Sequence, residues 1–305
     1  MNQEIIINDV GPRDGLQNQN KVLTIDEKLQ LIKALIDAKI PSIEVGAFVS
    51  PKAVPAMAGT DELFTHLKPG TTLLNGLIPN LRGYENAQAV NVPLSSLVVA
   101  VSDTMNEKNI NMTTKQNLAV SFDVLERAKS EGKRVQAYVA TAWACPFEGQ
   151  IEASKVLEIS EKLLSAGAEK LVIADTIGAA NPKQVAQLMK QLVIEFGEAR
   201  LACHFHDTRA MGLANVYAAI TQGIYQFDAS IAGLGGCPFA PGASGNVATE
   251  DVVMMVEQMG YKTGISLPAL LKAANLAIQL TGTAKGGKAK LWLEQQIKQQ
   301  ANHAA

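Results

Sequence analysis

The chain predicts an α/β fold, a (β/α)8 TIM barrel with extra C-terminal helices, on three observations. Eight short β-rich runs alternate with longer runs of helical periodicity. Polar residues able to do chemistry gather just after those runs, at what would be the C-terminal mouth of a parallel barrel. The 305 residues, 47% of them hydrophobic, are enough to bury one large core. An open doubly wound sheet is the structural rival.

Taken in order, strands are expected over residues 5–10, 42–45, 72–77, 97–101, 135–140, 171–174, 201–204 and 227–231. The helices between them are expected over 25–38, 61–67, 81–90, 114–130, 151–166, 182–196 and 213–222. Leu29, Ile32, Leu35 and Ile36 recur at helical spacing in the first of these. Pro182 after Asn181 is a start signal for the sixth. After the eighth strand the chain is glycine-rich from 233 to 245 and then helical from about 249 to 259. Residues 265–305 read as a helical extension of a single catalytic domain spanning 1–305.

Composition excludes some partners. Charged residues make up 18% and the formal net charge is −2, which suits neither nucleic acid nor an anionic membrane. No apolar run is long enough to span a bilayer. Met1 to Glu4 carry no basic region, apolar stretch or cleavage site, so a cytoplasmic location is expected. Three cysteines, Cys145, Cys203 and Cys237, without a C-x-x-C pair, fit a reducing compartment.

Three polar clusters fall at strand ends. The first is Gly11-Pro12-Arg13-Asp14-Gly15-Leu16-Gln17, a charged pair framed by glycines. By itself it reads as an ion pair stabilising a turn. The second is Cys203-His204-Phe205-His206-Asp207. Residues two apart on a strand face the same side, so His204 and His206 can both face the mouth. The chain has four histidines in all, and such a pair at a strand end favours metal binding over a core role. The third is the run from Gly233 to Asn246, whose Pro238 breaks any dinucleotide fingerprint. It reads as a loop whose glycines permit unusual backbone angles and carry Cys237 over the site, with Asn246 as an oxygen donor at the rim.

Together these give Asp14, His204, His206 and Asn246 as two nitrogen and two oxygen ligands. That set, poor in thiolate and rich in oxygen, suits magnesium or manganese. Two open positions would remain for a chelating substrate, whose hydroxyl a metal would acidify. Glu44, at the end of Ser42-Ile43-Glu44-Val45, is expected to pair with Arg13 and orient its guanidinium. Asp175, in Ala174-Asp175-Thr176-Ile177-Gly178, is expected either to support the histidines or to contact substrate.

At these residues the chain resembles the 3-hydroxy-3-methylglutaryl-CoA lyase family, in a superfamily of metal-dependent lyases and condensing enzymes. The likeness runs from about 4 to 264. It is carried by Val10 through Gln17, Phe48-Val49-Ser50-Pro51-Lys52, Asp175-Thr176-Ile177-Gly178, His204-Phe205-His206-Asp207-Thr208, and Gly233 through Asp251. The last segment is the most specific. The resemblance implies a barrel, a divalent cation, an acyl-CoA thioester substrate and a homodimer. It makes Asp14, His204, His206 and Asn246 the metal ligands, Arg13 the catalytic arginine, Cys237 the catalytic cysteine and Glu44 an orienting acid. It adds Asp175 to the catalytic set and places Gln17 and Thr176 with Arg13 against the substrate. A place in leucine degradation and ketone body formation would follow.

The chain departs from the family at Ala47, where a small hydroxyl residue is common, at Arg209-Ala210-Met211 after the H-x-H-D-T stretch, and at Pro241. The expected reaction is a retro-Claisen cleavage of 3-hydroxy-3-methylglutaryl-CoA to acetyl-CoA and acetoacetate. Asp14 or His204 would take the hydroxyl proton, Arg13 would stabilise the enolate oxygen, and Cys237 would help protonate the enolate carbon. The alternatives are a lyase for a longer branched 3-hydroxyglutaryl-CoA and a superfamily condensing enzyme or aldolase.

Overall fold

The computed structural model describes residues 3–68, 70–236 and 245–304. Among the described residues, eight parallel strands close into a barrel: β1 (Ile6–Asp9), β2 (Ser42–Ala47), β3 (Leu73–Leu77), β4 (Leu94–Ala100) and β5 (Val135–Ala140), then, beyond a short antiparallel hairpin of β6 (Ala144–Cys145) and β7 (Gly149–Gln150), β8 (Leu171–Asp175), β9 (Leu201–Phe205) and β10 (Gln226–Ala229). The ring closes because β1 pairs β10 on one side, Ile7 beside Phe227, and β2 on the other, Asn8 beside Ser42. The doubly wound alternative is thereby excluded.

Alternation along each strand sorts side chains between two environments. Ile7, Ile43, Val139, Leu171, Ile173, Leu201, Cys203 and Phe227 belong to the outer core between barrel and helices. The other face lines the lumen, which is only partly apolar. Tyr138, Val172 and Ala202 pack there. Beside them Asn8 accepts hydrogen bonds from Ser42 Oγ (2.8 Å) and Asn75 Nδ2 (2.8 Å). A polar lumen of this kind supports groups above it by hydrogen bonds rather than by packing alone.

Helices α1 (Ile25–Asp37), α2 (Thr60–His66) and α3 (Leu81–Ala89) follow the first three strands. Both α4 (Asp103–Ile110) and α5 (Thr114–Ser130) follow β4, and α6 (Ala153–Ala166), α7 (Pro182–Phe196) and α8 (Gly212–Ile220) complete the outer layer. Local chemistry sets several boundaries. Capping boxes start α1 at Thr24–Glu27, α5 at Thr113–Gln116 and α7 at Asn181–Gln184, each satisfying two amide groups reciprocally. After β10 come α9 (Thr249–Gln258), α10 (Leu267–Thr281) and α11 (Lys290–Ala304). The buried face of α10 includes Leu270, Ala274 and Ala277, and α10 packs chiefly on α1.

The differences from the reading of the sequence include the β6–β7 hairpin, the end of β10 at Ala229 rather than 231, α4 and the start of β4. Residues 103–110 form α4, which that reading passes over. Its sequence, Asp103-Thr104-Met105-Asn106-Glu107-Lys108-Asn109-Ile110, has almost no apolar stripe. The helix is set instead by its ends: Ser102 Oγ accepts from Met105 N–H, and Asn111 closes it in the left-handed region. β4 also begins at Leu94 rather than 97, because Ser95 and Ser96 pair with Val135 and Gln136 inside the sheet.

Candidate active site

The site begins where β1 ends. Gly11–Gly15 forms one tight turn of π type, opened by Pro12, which lacks an N–H the turn would leave unpaired. Asp9 anchors it: its carboxylate accepts from Gly11 N–H (2.8 Å) and from Thr249 Oγ1 (2.7 Å). Burial pushes the Asp9 carboxyl up to about 6, against those bonds. A Cβ at Gly15 would lie 2.8 Å from Leu234 Cβ, so glycine is what lets this turn lie against the segment after β10.

This turn presents Arg13 and Asp14 to the mouth. Arg13 is buried. Its Nε donates to Glu44 Oε2 (2.5 Å) and its Nη1 to Asp14 Oδ1 (2.8 Å). Burial opposes the guanidinium charge, but the two carboxylates overcome it and raise its pKa. Glu44 is fully buried, and burial lifts its carboxyl to about 7 despite Arg13. For Asp14 the balance reverses. Burial would raise it, yet Arg13, the two histidines and the Asn246 amide together hold it at about 2.

From β9 come His204 and, one step past its end, His206, with ring centroids 5.1 Å apart. His206 Nε2 lies 4.0 Å from Asp14 Oδ2. Burial and the neighbouring His204 lower His206 to about 4, so it is neutral at physiological pH. His204 behaves differently. Burial opposes its charge, but the bond from its Nδ1 to Asp228 Oδ2 (3.0 Å) raises its pKa.

Asn246 reaches the site by strand pairing. Residues 245–248 return between the ends of β9 and β10: Asp207 N–H donates to Gly245 O (2.8 Å), Val247 N–H to Phe205 O (3.1 Å), and Thr249 N–H to Ser230 O (3.0 Å). His206 and Asn246 face each other as an antiparallel bridge. Asn246 Nδ2 donates to Asp14 Oδ2 (2.7 Å) and to Leu234 O (3.1 Å). Gly235 is needed beside it: φ there is +148°, and a Cβ would sit 2.6 Å from Asn246 Nδ2.

Ligand atoms of Asp14, His204 and His206 all lie within 4.8 Å of one another, so the three residues can hold a metal ion. The residues fit that role. Asp14 is held ionised, His206 neutral, and the buried Asn246 Oδ1 has no hydrogen-bond partner among the described residues. Two nitrogens and two oxygens are a donor set for a borderline or hard divalent cation.

The remaining residues named from sequence lie around this centre. Asp175 ends β8, and its carboxylate accepts from Ala179 N–H (2.8 Å) and Ala180 N–H (3.0 Å), shaping the following turn. Thr176 Oγ1 accepts from Thr141 N–H (2.8 Å), and Gln17 is half-buried at the end of the first turn. Arg209 tethers the loop after β9 to the turn after β8, donating to the carbonyls of Gly178 (2.9 Å) and Ala179. Cys237 and Pro241 lie outside the described residues. The reading of the sequence missed Asp228, Tyr138 and Asp9. Asp228 sits between the apolar Phe227 and Ala229 in β10, and only the two-residue alternation that puts it on the face opposite Phe227 hints at it.

A closed parallel barrel carrying an Asp–His–His cluster at the C-terminal ends of its strands is the architecture of a metal-assisted barrel enzyme. The chain belongs to the HMGL-like family, whose model matches residues 4–277. It is 39% identical over 292 residues to hydroxymethylglutaryl-CoA lyase of Pseudomonas mevalonii, covering 95% of this chain and 97% of that one. It is 38% identical over 283 residues to a 3-hydroxy-3-isohexenylglutaryl-CoA/hydroxymethylglutaryl-CoA lyase of Pseudomonas aeruginosa, covering 92% and 94%. An HMG-CoA lyase of Acinetobacter baumannii, solved in complex with coenzyme A and 3-methylmalate, superposes with a TM-score of 0.90 at 39% identity over 94% of each chain.

Proposed function

We propose that this protein is a carbon–carbon lyase that cleaves (S)-3-hydroxy-3-methylglutaryl-CoA to acetyl-CoA and acetoacetate. The observation that carries the reading is the joining of the Asp14–His204–His206 cluster to the buried Arg13–Glu44 pair at one barrel mouth, in a chain of this family. A bound divalent cation, magnesium or manganese, would supply acidification of the substrate hydroxyl. Asp14, His204, His206 and Asn246 would hold it.

The chain's own groups divide the rest of the work. Arg13, fixed by Glu44 and Asp14, puts a permanent positive charge where the thioester oxygen becomes an enolate. The hydroxyl proton goes to Asp14, the carboxylate held ionised in the cluster. Cys237 delivers a proton to the enolate carbon. Gln17 and Thr176 contact the substrate beside Arg13, and Asp175 keeps the turn that carries Thr176 in place. The protein works as a homodimer in the cytoplasm, within leucine degradation or ketone body formation.

A second reading is favoured by one residue. Ala47 ends β2, buried and paired with Leu77, where the family commonly carries a small hydroxyl residue. Loss of that polar group suits a longer branch on the substrate, the chemistry named for the P. aeruginosa relative. Incubating the protein with the short and the long thioester and magnesium, and measuring acetyl-CoA, tests both readings. No acetyl-CoA from either would reject lyase activity on these substrates.

A further inference from the structure

The polar lumen beneath the metal cluster has one carboxylate that the reaction does not use. Asp228 lies in β10, one strand from β9, and is buried. Three donors converge on it. His204 Nδ1 is 3.0 Å from Oδ2, the Tyr138 hydroxyl donates to the same Oδ2 at 2.7 Å, and Asn8 Nδ2 donates to Oδ1 at 2.9 Å. Asn8 is itself locked, because its own oxygen accepts from Ser42 and Asn75. Tyr138 also packs edge-on to the His204 ring, with centroids 6.1 Å apart at 77°.

This arrangement has a direct chemical consequence. An imidazole has two nitrogens, and in the neutral ring one carries the proton. Asp228 stands as an acceptor towards Tyr138 and Asn8, and the Nδ1 contact completes that set, so the nitrogen facing Asp228 is the one that keeps its hydrogen. Nε2 is left as a lone-pair donor. His206 has no such support: its Nδ1 is buried without a hydrogen-bond partner among the described residues.

We propose that Asp228 is a positioning residue that fixes His204 in the Nδ1–H tautomer, with Nε2 presented to the metal, so that His204 is the pre-set ligand of the cluster. The inference rests on the metal-site reading above and adds to it which side chain prepares which ligand. The lumen hydrogen bonds from Asn8, Ser42, Asn75 and Tyr138 act through Asp228 by holding its carboxylate in one orientation. A partner of this kind is worth about 10–100-fold in metal affinity.

The test uses Mn²⁺ alone as the probe, on the full-length protein. Affinity is read by the electron paramagnetic resonance of free Mn²⁺ for the parent and for Asp228→Asn. Asparagine keeps the size but faces three donors with one acceptor. The variant is expected to bind Mn²⁺ about 10–100-fold more weakly while keeping a cooperative melt. In parallel, nitrogen-15 NMR of the metal-free parent at alkaline pH reads the His204 tautomer directly, independently of how any variant folds. Nδ1–H is expected. An Nε2–H tautomer in the parent, or a folded Asp228→Asn that binds Mn²⁺ as the parent does, overturns the inference. Failure of the parent itself to bind Mn²⁺ overturns the metal-site reading and this inference with it.

Discussion

Arg13 Nε and Glu44 Oε2 stand 2.5 Å apart, joining the turn after the first strand to the second strand inside the barrel mouth. The pair is shielded from water, so the guanidinium cannot swing away from the place it is held. That makes Arg13 a preorganised charge rather than a flexible surface cation.

Arg13→Gln should therefore lower kcat by about 10²–10³ with a smaller change in KM, the cost of losing one preorganised donor. Arg13→Lys keeps the charge without the planar fork and should recover only part. Mn²⁺ binding should persist, because Asp14 and not Arg13 is the proposed ligand. Steady-state kinetics together with thermal melts check this. A purely structural Arg13–Glu44 pair would instead give a lowered melting temperature with intact kcat in the folded fraction.

His206→Ala should lose most metal affinity and remain folded. The side chain packs on the His204 ring, with Nε2 4.0 Å from Asp14 Oδ2, and stands outside the hydrophobic core cluster. Chelation should inactivate the parent, and magnesium or manganese should restore it. Full turnover in excess EDTA would remove the metal from the mechanism.

Cys237 should be the fast-labelling thiol of the native protein, since Cys145 and Cys203 are buried. Burial also pushes the Cys203 thiol up, away from the reactive thiolate. Alkylation should inactivate, and bound substrate should protect. Cys237→Ser should bind substrate nearly as the parent does and turn over far more slowly. Unchanged activity in that variant would exclude a catalytic role.

Ala47→Ser should shift the ratio of kcat/KM toward the shorter thioester. The position is buried at the end of β2, where one added hydroxyl takes up space and brings a polar group to an apolar wall. An unchanged ratio for short and long substrates would show that Ala47 does not set chain length.

Glu250 gives a pH prediction away from the catalytic centre. It is fully buried, with Oε1 accepting from Gly287 N–H (2.7 Å) and Oε2 from Ala232 N–H (3.1 Å), tying the segment before α11 to the turn after β10. Burial raises its carboxyl from 4.5 to about 7 in the folded protein. Between those values the folded state holds the extra proton, so this group's contribution to stability falls as pH rises from about 4.5 through 7. Glu250→Gln removes that titration. Parent minus variant stability, measured by denaturant melts, should decline across this window. A flat difference would mean that the carboxyl titrates at its ordinary value.

The strand–helix alternation, the strand ends that carry Arg13, Asp14, His204 and His206, and the starts of helices such as α7 are legible in the chain. These are local: a period of two or 3.6, a capping box or an Asn–Pro boundary is written in nearby residues. The sequence did not show α4, whose apolar stripe is nearly absent and whose limits come from Ser102 and Asn111. Closure of the ring was expected from the count of strands, but only the pairing of β1 with β10 decided it. That pairing brings Asn8 and Asp228, 220 residues apart, to 2.9 Å, and the pairing of β10 with β9 puts Asp228 beside His204. The carboxylate that orients the metal-facing histidine thus comes from a short strand, Gln226-Phe227-Asp228-Ala229, that carries no recognisable motif. Its role is set by which strand lies beside which, a long-range property that no local pattern encodes.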